Sequence, residues 1–133
     1  MRHPQVLVYE ADGRLAGALR PLAEKNKWLL REPRQLSACL RLFARGGPGV
    51  LVLRPGRNLE RELAMLEQVS WLYPDAATVL VGDSDQAWLA GLAWDLGVHW
   101  VLLPPQTRER LPEIVASLMK RYQPEAPAMG GAT

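Results

Sequence analysis

The sequence predicts an α/β fold: a five-stranded, parallel, doubly wound sheet with five helices in three layers. Three observations point to it. Short apolar runs alternate five times with stretches whose apolar residues recur at helical spacing. Most of those runs are apolar throughout rather than at every second residue, which marks strands covered on both faces in a parallel sheet. The chain has 133 residues, the length of a single domain, and short right-handed crossovers then make a three-layer sheet the economical arrangement.

The elements follow in order. Gln5-Val6-Leu7-Val8-Tyr9 reads as a buried strand. Over 13–28, Leu15, Leu19, Leu22, Ala23 and Asn26 share one helical face, and Pro21 removes the bond to the Gly17 carbonyl, so a kink or split is expected there. Leu29-Leu30 is a weak second strand closed by Glu32-Pro33. Leu36, Cys39, Leu40 and Phe43 make the second helical stripe, which places Cys39 as a small buried hydrophobe. Gly46-Gly47-Pro48-Gly49 breaks the chain before Val50-Leu51-Val52-Leu53. Leu59, Leu63, Leu66, Ser70 and Tyr73 form the third stripe, stopped by Pro74-Asp75 ahead of Thr78-Val79-Leu80-Val81. Ser84 is placed to cap a fourth helix running to Leu96, with Gly97 just past its end. Val98 to Leu103 reads as the fifth strand, and Leu111, Ile114, Val115, Leu118 and Tyr122 as the last helix. Residues 1–123 are expected to form the domain, and 124–133, rich in Pro, Ala and Gly, a flexible tail or linker.

Composition excludes several classes. Sixteen basic against fourteen acidic residues leave a net charge of +2, too little for bulk electrostatic binding of nucleic acid. One cysteine permits no internal disulfide. No apolar run approaches the ~18 residues of a membrane span, and no signal peptide is evident, so a cytoplasmic location is expected. His3 and His99 lack neighbours at metal-ligand spacing. Gly46-Gly47-Pro48-Gly49 precedes a strand instead of following one and is no phosphate cradle. In doubly wound folds the working site lies beyond the C-terminal strand ends, which directs attention to 10–13, 54–58, 82–85 and 104–107.

The second half resembles the receiver domain of two-component response regulators, the CheY-like family. The stretch from Met65-Leu66-Glu67-Gln68-Val69 through Tyr73-Pro74-Asp75-Ala76-Ala77-Thr78-Val79-Leu80-Val81 looks like a receiver third helix and fourth strand. Ala93-Trp94-Asp95-Leu96-Gly97-Val98 resembles the small-residue stretch before the fifth strand, and Leu102-Leu103-Pro104-Pro105 sits where the family has its Lys-Pro. The resemblance spans about residues 5–122 and implies strand order 2-1-3-4-5. It also implies a site in which acidic residues after the first strand hold Mg²⁺, an Asp after the third accepts a phosphoryl group, and a hydroxyl and a Lys contact it. On this chain the acids survive in part as Glu10 and Asp12. The phosphoacceptor position falls on Arg54, the hydroxyl position on Gly82, the Lys position on Pro104 and the aromatic switch position on Val101. No Asp or Glu lies between Gly46 and Leu59, so a shift of register rescues nothing. Arg stays protonated at any relevant pH and cannot become an acyl phosphate. The departure implies a pseudo-receiver with no phosphorylation, no metal and no cofactor, in which Arg54 either pairs with Asp12 or Glu10 or points into water. Asp83, Asp85 and Asp12 are a weaker candidate cation set.

The fourth helix carries the clearest sign of a partner. Trp88, Leu89, Leu92, Ala93 and Leu96 share one face, expected to pack on the sheet, yet the opposite face, Ala87, Ala90, Gly91 and Trp94, is also apolar. With Trp100 on the neighbouring edge strand, this surface is expected to bind a protein partner or a second copy; the resemblance to receivers points the same way. Trp28 and Trp71 are expected to be partly exposed. The expectation is therefore a non-enzymatic signalling or regulatory module acting by protein–protein contact. The alternative is a small-ligand or nucleotide sensor using the crevice at the C-terminal strand ends.

Overall fold

The computed structural model describes residues 4–47, 49–56, 58–83, 87–104 and 108–122. Five strands, β1 (Gln5–Tyr9), β2 (Leu29–Arg31), β3 (Gly49–Leu53), β4 (Ala77–Val81) and β5 (Trp100–Leu102), form one sheet in the order β2-β1-β3-β4-β5. Every pairing is parallel. The helices are α1 (Arg14–Asn26), α2 (Leu36–Arg45), α3 (Leu59–Leu72), α4 (Ala87–Asp95) and α5 (Leu111–Met119), with 3-10 turns at Arg108–Arg110 and Lys120–Tyr122. The fifth strand is shorter than the apolar run 98–103 had indicated. Ser84, Asp85, Pro105, His3 and the 124–133 tail lie outside the described residues.

The uniformly apolar strands divide cleanly between two cores. Val6, Val8, Val50, Val52, Val79 and Val81 face α1 and α5, meeting Leu15, Leu19, Leu111, Ile114, Val115 and Met119. Leu7, Leu51, Leu53 and Leu80 face the other way, onto Phe43, Leu63, Leu66, Leu89 and Ala93 of α2, α3 and α4. Both faces of the inner strands are covered, which is why β1, β3 and β4 do not alternate in polarity. Cys39 is fully buried here, and burial pushes its thiol up to about 12.

Two helix ends explain where the tryptophans go. Lys27 adopts left-handed backbone at φ 60° after α1, and the Trp28 N–H bonds back to the Ala23 carbonyl at 2.9 Å. This Schellman closure folds Trp28 over the helix it has just left. Trp28 is therefore buried, not the partly exposed residue expected. Gly97 does the same for α4 at φ 91°: its N–H reaches the Trp94 carbonyl and that of Val98 the Ala93 carbonyl, both at 3.1 Å. Trp71, on the outer side of α3, is 82% exposed. Helix α1 runs unbroken through Pro21. Both Pro21 and Gly17 are exposed, so the carbonyl left without its helical partner faces water.

Helix α4 is rotated from expectation. Leu89 and Ala93 are buried, but Trp88 is 57% exposed and Leu92 is exposed beside it. A helix apolar on every side carries little phase information in its sequence. The small Ala93 lets α4 approach the sheet closely, which a Trp at the contact would not. Ala90, expected outside, is half-buried against the α2–α4 core.

Candidate functional site

The parallel register sets Tyr9 beside Leu53, and Leu53 beside Leu80. The residues that follow β1, β3 and β4 are thereby gathered at one end of the sheet. The Arg54 N–H donates to the Tyr9 carbonyl at 2.9 Å, which carries the ladder one residue further and aims the Arg54 side chain across the gap.

The two acids after β1 are committed to the start of α1. Glu10 is buried and accepts the Leu15 N–H at 3.0 Å and the Ala16 N–H at 2.9 Å, one on each carboxylate oxygen. Asp12 accepts the Arg14 N–H at 3.0 Å. No side chain at the Gly13 N-cap serves these N–H groups, so the chain reaches back with carboxylates.

Arg54 sits among three carboxylates. Its Nη1 lies 2.7 Å from Asp12 Oδ2 and 4.0 Å from Glu10 Oε1, and its Nη2 lies 3.1 Å from Asp83 Oδ1. Nε adds a longer bond to Asp83 Oδ2 at 3.4 Å. The Arg54 side chain is only 17% exposed, so of the two placements open to it, pairing is the one found. The Arg14 N–H and the Arg54 guanidinium hold the Asp12 carboxyl down at about 2. Arg108 closes the circuit by pairing with Asp83 as well. One guanidinium thus bridges the loops after β1, β3 and β4, and a second ties in the segment after β5.

Gly82 follows β4 and is filled from outside. A Cβ built there would lie 2.2 Å from Leu103 Cδ2, so the space a hydroxyl side chain would need belongs to Leu103. Val101 is buried, and Pro104 is half-buried at the end of β5. Mg²⁺, which receivers bind here, wants several free hard oxygens. Both Glu10 oxygens already serve backbone N–H groups, Asp12 and Asp83 serve arginines, and the Arg54 cation stands between them. These residues do not fit the ion. Among the described residues no group of three His, Cys, Asp or Glu side chains is placed to hold a metal.

Sequence reasoning singled out Glu10, Asp12, Arg54, Gly82 and Pro104, and weighed Asp83 only as part of a cation set. Arg108 went unnoticed; it lies four residues past Pro104, and nothing in its own surroundings marks it. Of the proposed contact residues, Ala87, Gly91 and Trp94 are exposed, with Trp94 at 51%. Trp100 is half-buried on the α5 side, 5.9 Å beneath the Arg110 guanidinium, with its indole N–H buried and unpartnered. It does not share the α4 surface. Trp88 and Leu92 take its place there.

No protein-family model matches the chain, and no curated protein matches it. Solved structures do. A response regulator from Thermotoga maritima superposes with TM-score 0.72 at 15% identity, covering 89% of this chain and 98% of the other. The receiver domain of the Francisella response regulator 1452 gives 0.72 at 18% identity, with 91% and 100% covered. The beryllofluoride-activated NtrC4 receiver domain dimer gives 0.69 at 17% identity, with 90% and 98% covered. The chain has the fold of response regulator receiver domains. Among the described residues no helix is long and apolar enough to cross a membrane.

Proposed function

We propose that the protein is a phosphorylation-independent pseudo-receiver that works as a protein–protein contact module in signal transduction or transcriptional regulation, without catalysing a reaction. The observation that carries this reading is the Arg54 guanidinium held at 2.7 Å from Asp12 and 3.1 Å from Asp83. It fixes with a tethered cation the loops that a metal and a phosphoryl group would otherwise draw together. The same ion pairs argue against the alternative of a small ligand or nucleotide in the C-terminal crevice, whose polar groups are already satisfied by one another.

The contact surface is the outer side of α4. Gly91 stands at its centre with open space above it, flanked by Trp88 and Trp94, with Leu92 beside them. A mid-helix glycine costs about 1 kcal/mol against alanine, and among the described residues nothing crowds the missing Cβ. A partner's backbone packed closely between two tryptophans would. One of the similar structures is described as a receiver domain dimer, so a second copy is the first partner to test. Mg²⁺ with beryllofluoride should leave the backbone NMR spectrum unchanged. Saturable shifts around Arg54 would overturn the reading.

A further inference from the structure

A cavity lies at the opposite end of the sheet from Arg54. It has a volume of about 450 Å³, within the range of small-molecule sites, and is lined by Pro74, Asp75, His99, Arg121 and Tyr122. Three connections converge there: the α3–β4 turn, the residue before β5, and the 3-10 turn after α5.

The polar groups in it are already oriented. His99 Nδ1 accepts the Thr78 N–H at 3.1 Å, taking a place in the sheet ladder just before β5 begins. That assignment makes the ring's proton an Nε2–H, the one donor left over. Burial, and then the neighbouring Arg121 cation, lower the pKa of His99, so the ring is neutral in this role at neutral pH. Arg121 lies 6.0 Å over the Tyr122 ring, and the Tyr122 hydroxyl is pinned by donating to the Asp75 carbonyl. Among the described residues no carboxylate lies within 4.0 Å of the Arg121 guanidinium, whereas Arg20, Arg54 and Arg108 each have at least one. Burial raises the pKa of Tyr122, the Arg121 guanidinium at its hydroxyl lowers it, and the Asp75 carboxylate adds a smaller rise.

We propose that this cavity binds the oxyanion group of a small ligand, a phosphate or a carboxylate, through the Arg121 guanidinium and the His99 Nε2–H, with Pro74 and the Tyr122 ring as its apolar wall. Both donors are preset, and an ionised acceptor strengthens each bond. This site is independent of the reading given to Arg54.

The test is to titrate the full chain with inorganic phosphate and, separately, with acetate, following backbone amide shifts by NMR. Saturable shifts confined to Thr78, His99 and Arg121 are expected with at least one of them, and the stronger binder identifies the group recognised. Arg121→Gln should weaken binding about tenfold. Asp75→Asn, which removes the opposing charge and does not rely on Arg121, should tighten it roughly twofold or more. The His99 ring should titrate at higher pH when the ion is bound. Shifts scattered over the surface arginines, no saturation with either ion, or equal affinity in Arg121→Gln would each overturn the proposal.

Discussion

Arg54 Nη1 stands 2.7 Å from Asp12 Oδ2, tying the end of β3 to the end of β1 by a charge-assisted bond. Asp12 is on the open side of this pair, while the Arg54 side chain is mostly enclosed. Arg54→Met should therefore remove the cation that stands between Asp12 and Asp83, leaving only Arg14 and Arg108 at their outer sides, and melt roughly 4–8 °C lower. Arg54→Asp should fall further, because a fourth carboxylate joins Glu10, Asp12 and Asp83. Mg²⁺ should recover part of that loss in the variant and none in the wild type. Differential scanning calorimetry with and without Mg²⁺ decides it; an unchanged melting temperature in Arg54→Met would show the pairs to be idle.

The same pairing sets an acid limit. Asp12 titrates at about 2 in the folded chain against 3.8 ordinarily. A lowered folded pKa means that its contribution is complete above about 4 and is lost as pH falls from there toward 2. Asp12→Asn should flatten the stability profile in that window and lie below the wild type above it.

Glu62 works in the opposite direction. It is buried beneath the loop after β3 and accepts the Gly56 N–H with both oxygens, at 2.9 and 3.0 Å. Burial raises its pKa, and the Gly56 bond offsets this only in part. A carboxyl with a raised folded pKa stabilises fully below the ordinary Glu range and loses that contribution as pH rises through the raised value. Glu62→Gln keeps an acceptor and never ionises. It should match the wild type near pH 4 and melt roughly 2–5 °C higher at pH 8. Parallel melting curves across that range would refute the assignment.

Lys27 occupies left-handed backbone that a side chain adopts at some strain. Lys27→Gly should relieve it while leaving the Trp28 closure intact, with a net gain of about 0.5–1 kcal/mol by urea titration. A loss of stability would show that glycine's extra freedom in the unfolded chain outweighs the strain.

Trp94 tests the α4 surface. It is half-exposed and supports none of the buried clusters. Trp94→Asp should melt within about 2 °C of the wild type and elute as a monomer under conditions where the wild type self-associates. A wild type that is monomeric at high concentration rules out the second copy as partner.

The amount legible in the sequence differs by element. Strands β1, β3 and β4 are legible, because a strand covered on both faces needs an unbroken apolar run and these short, Val-rich runs are bounded by turn residues. The end of α4 was equally plain, since Gly97 serves the left-handed turn found there. Trp28 and the rotation of α4 were not legible. Trp28 is buried by a backbone reversal at Lys27, a residue with no sequence preference for that turn, and α4 has no polar side to fix its phase.

Local residue type and spacing suffice for the fold class, for the helix boundaries to within a few residues, and for the absence of any Asp or Glu between Gly46 and Leu59. What Arg54 does follows from long-range packing. Asp12 lies 42 residues before it, Asp83 lies 29 after it and Arg108 lies further still. Their meeting depends on strand order and register, which set the ends of β1, β3 and β4 side by side. Long side chains then turn inward because carboxylates already fixed at the start of α1 and after β4 hold a cation better than water does at a largely enclosed position.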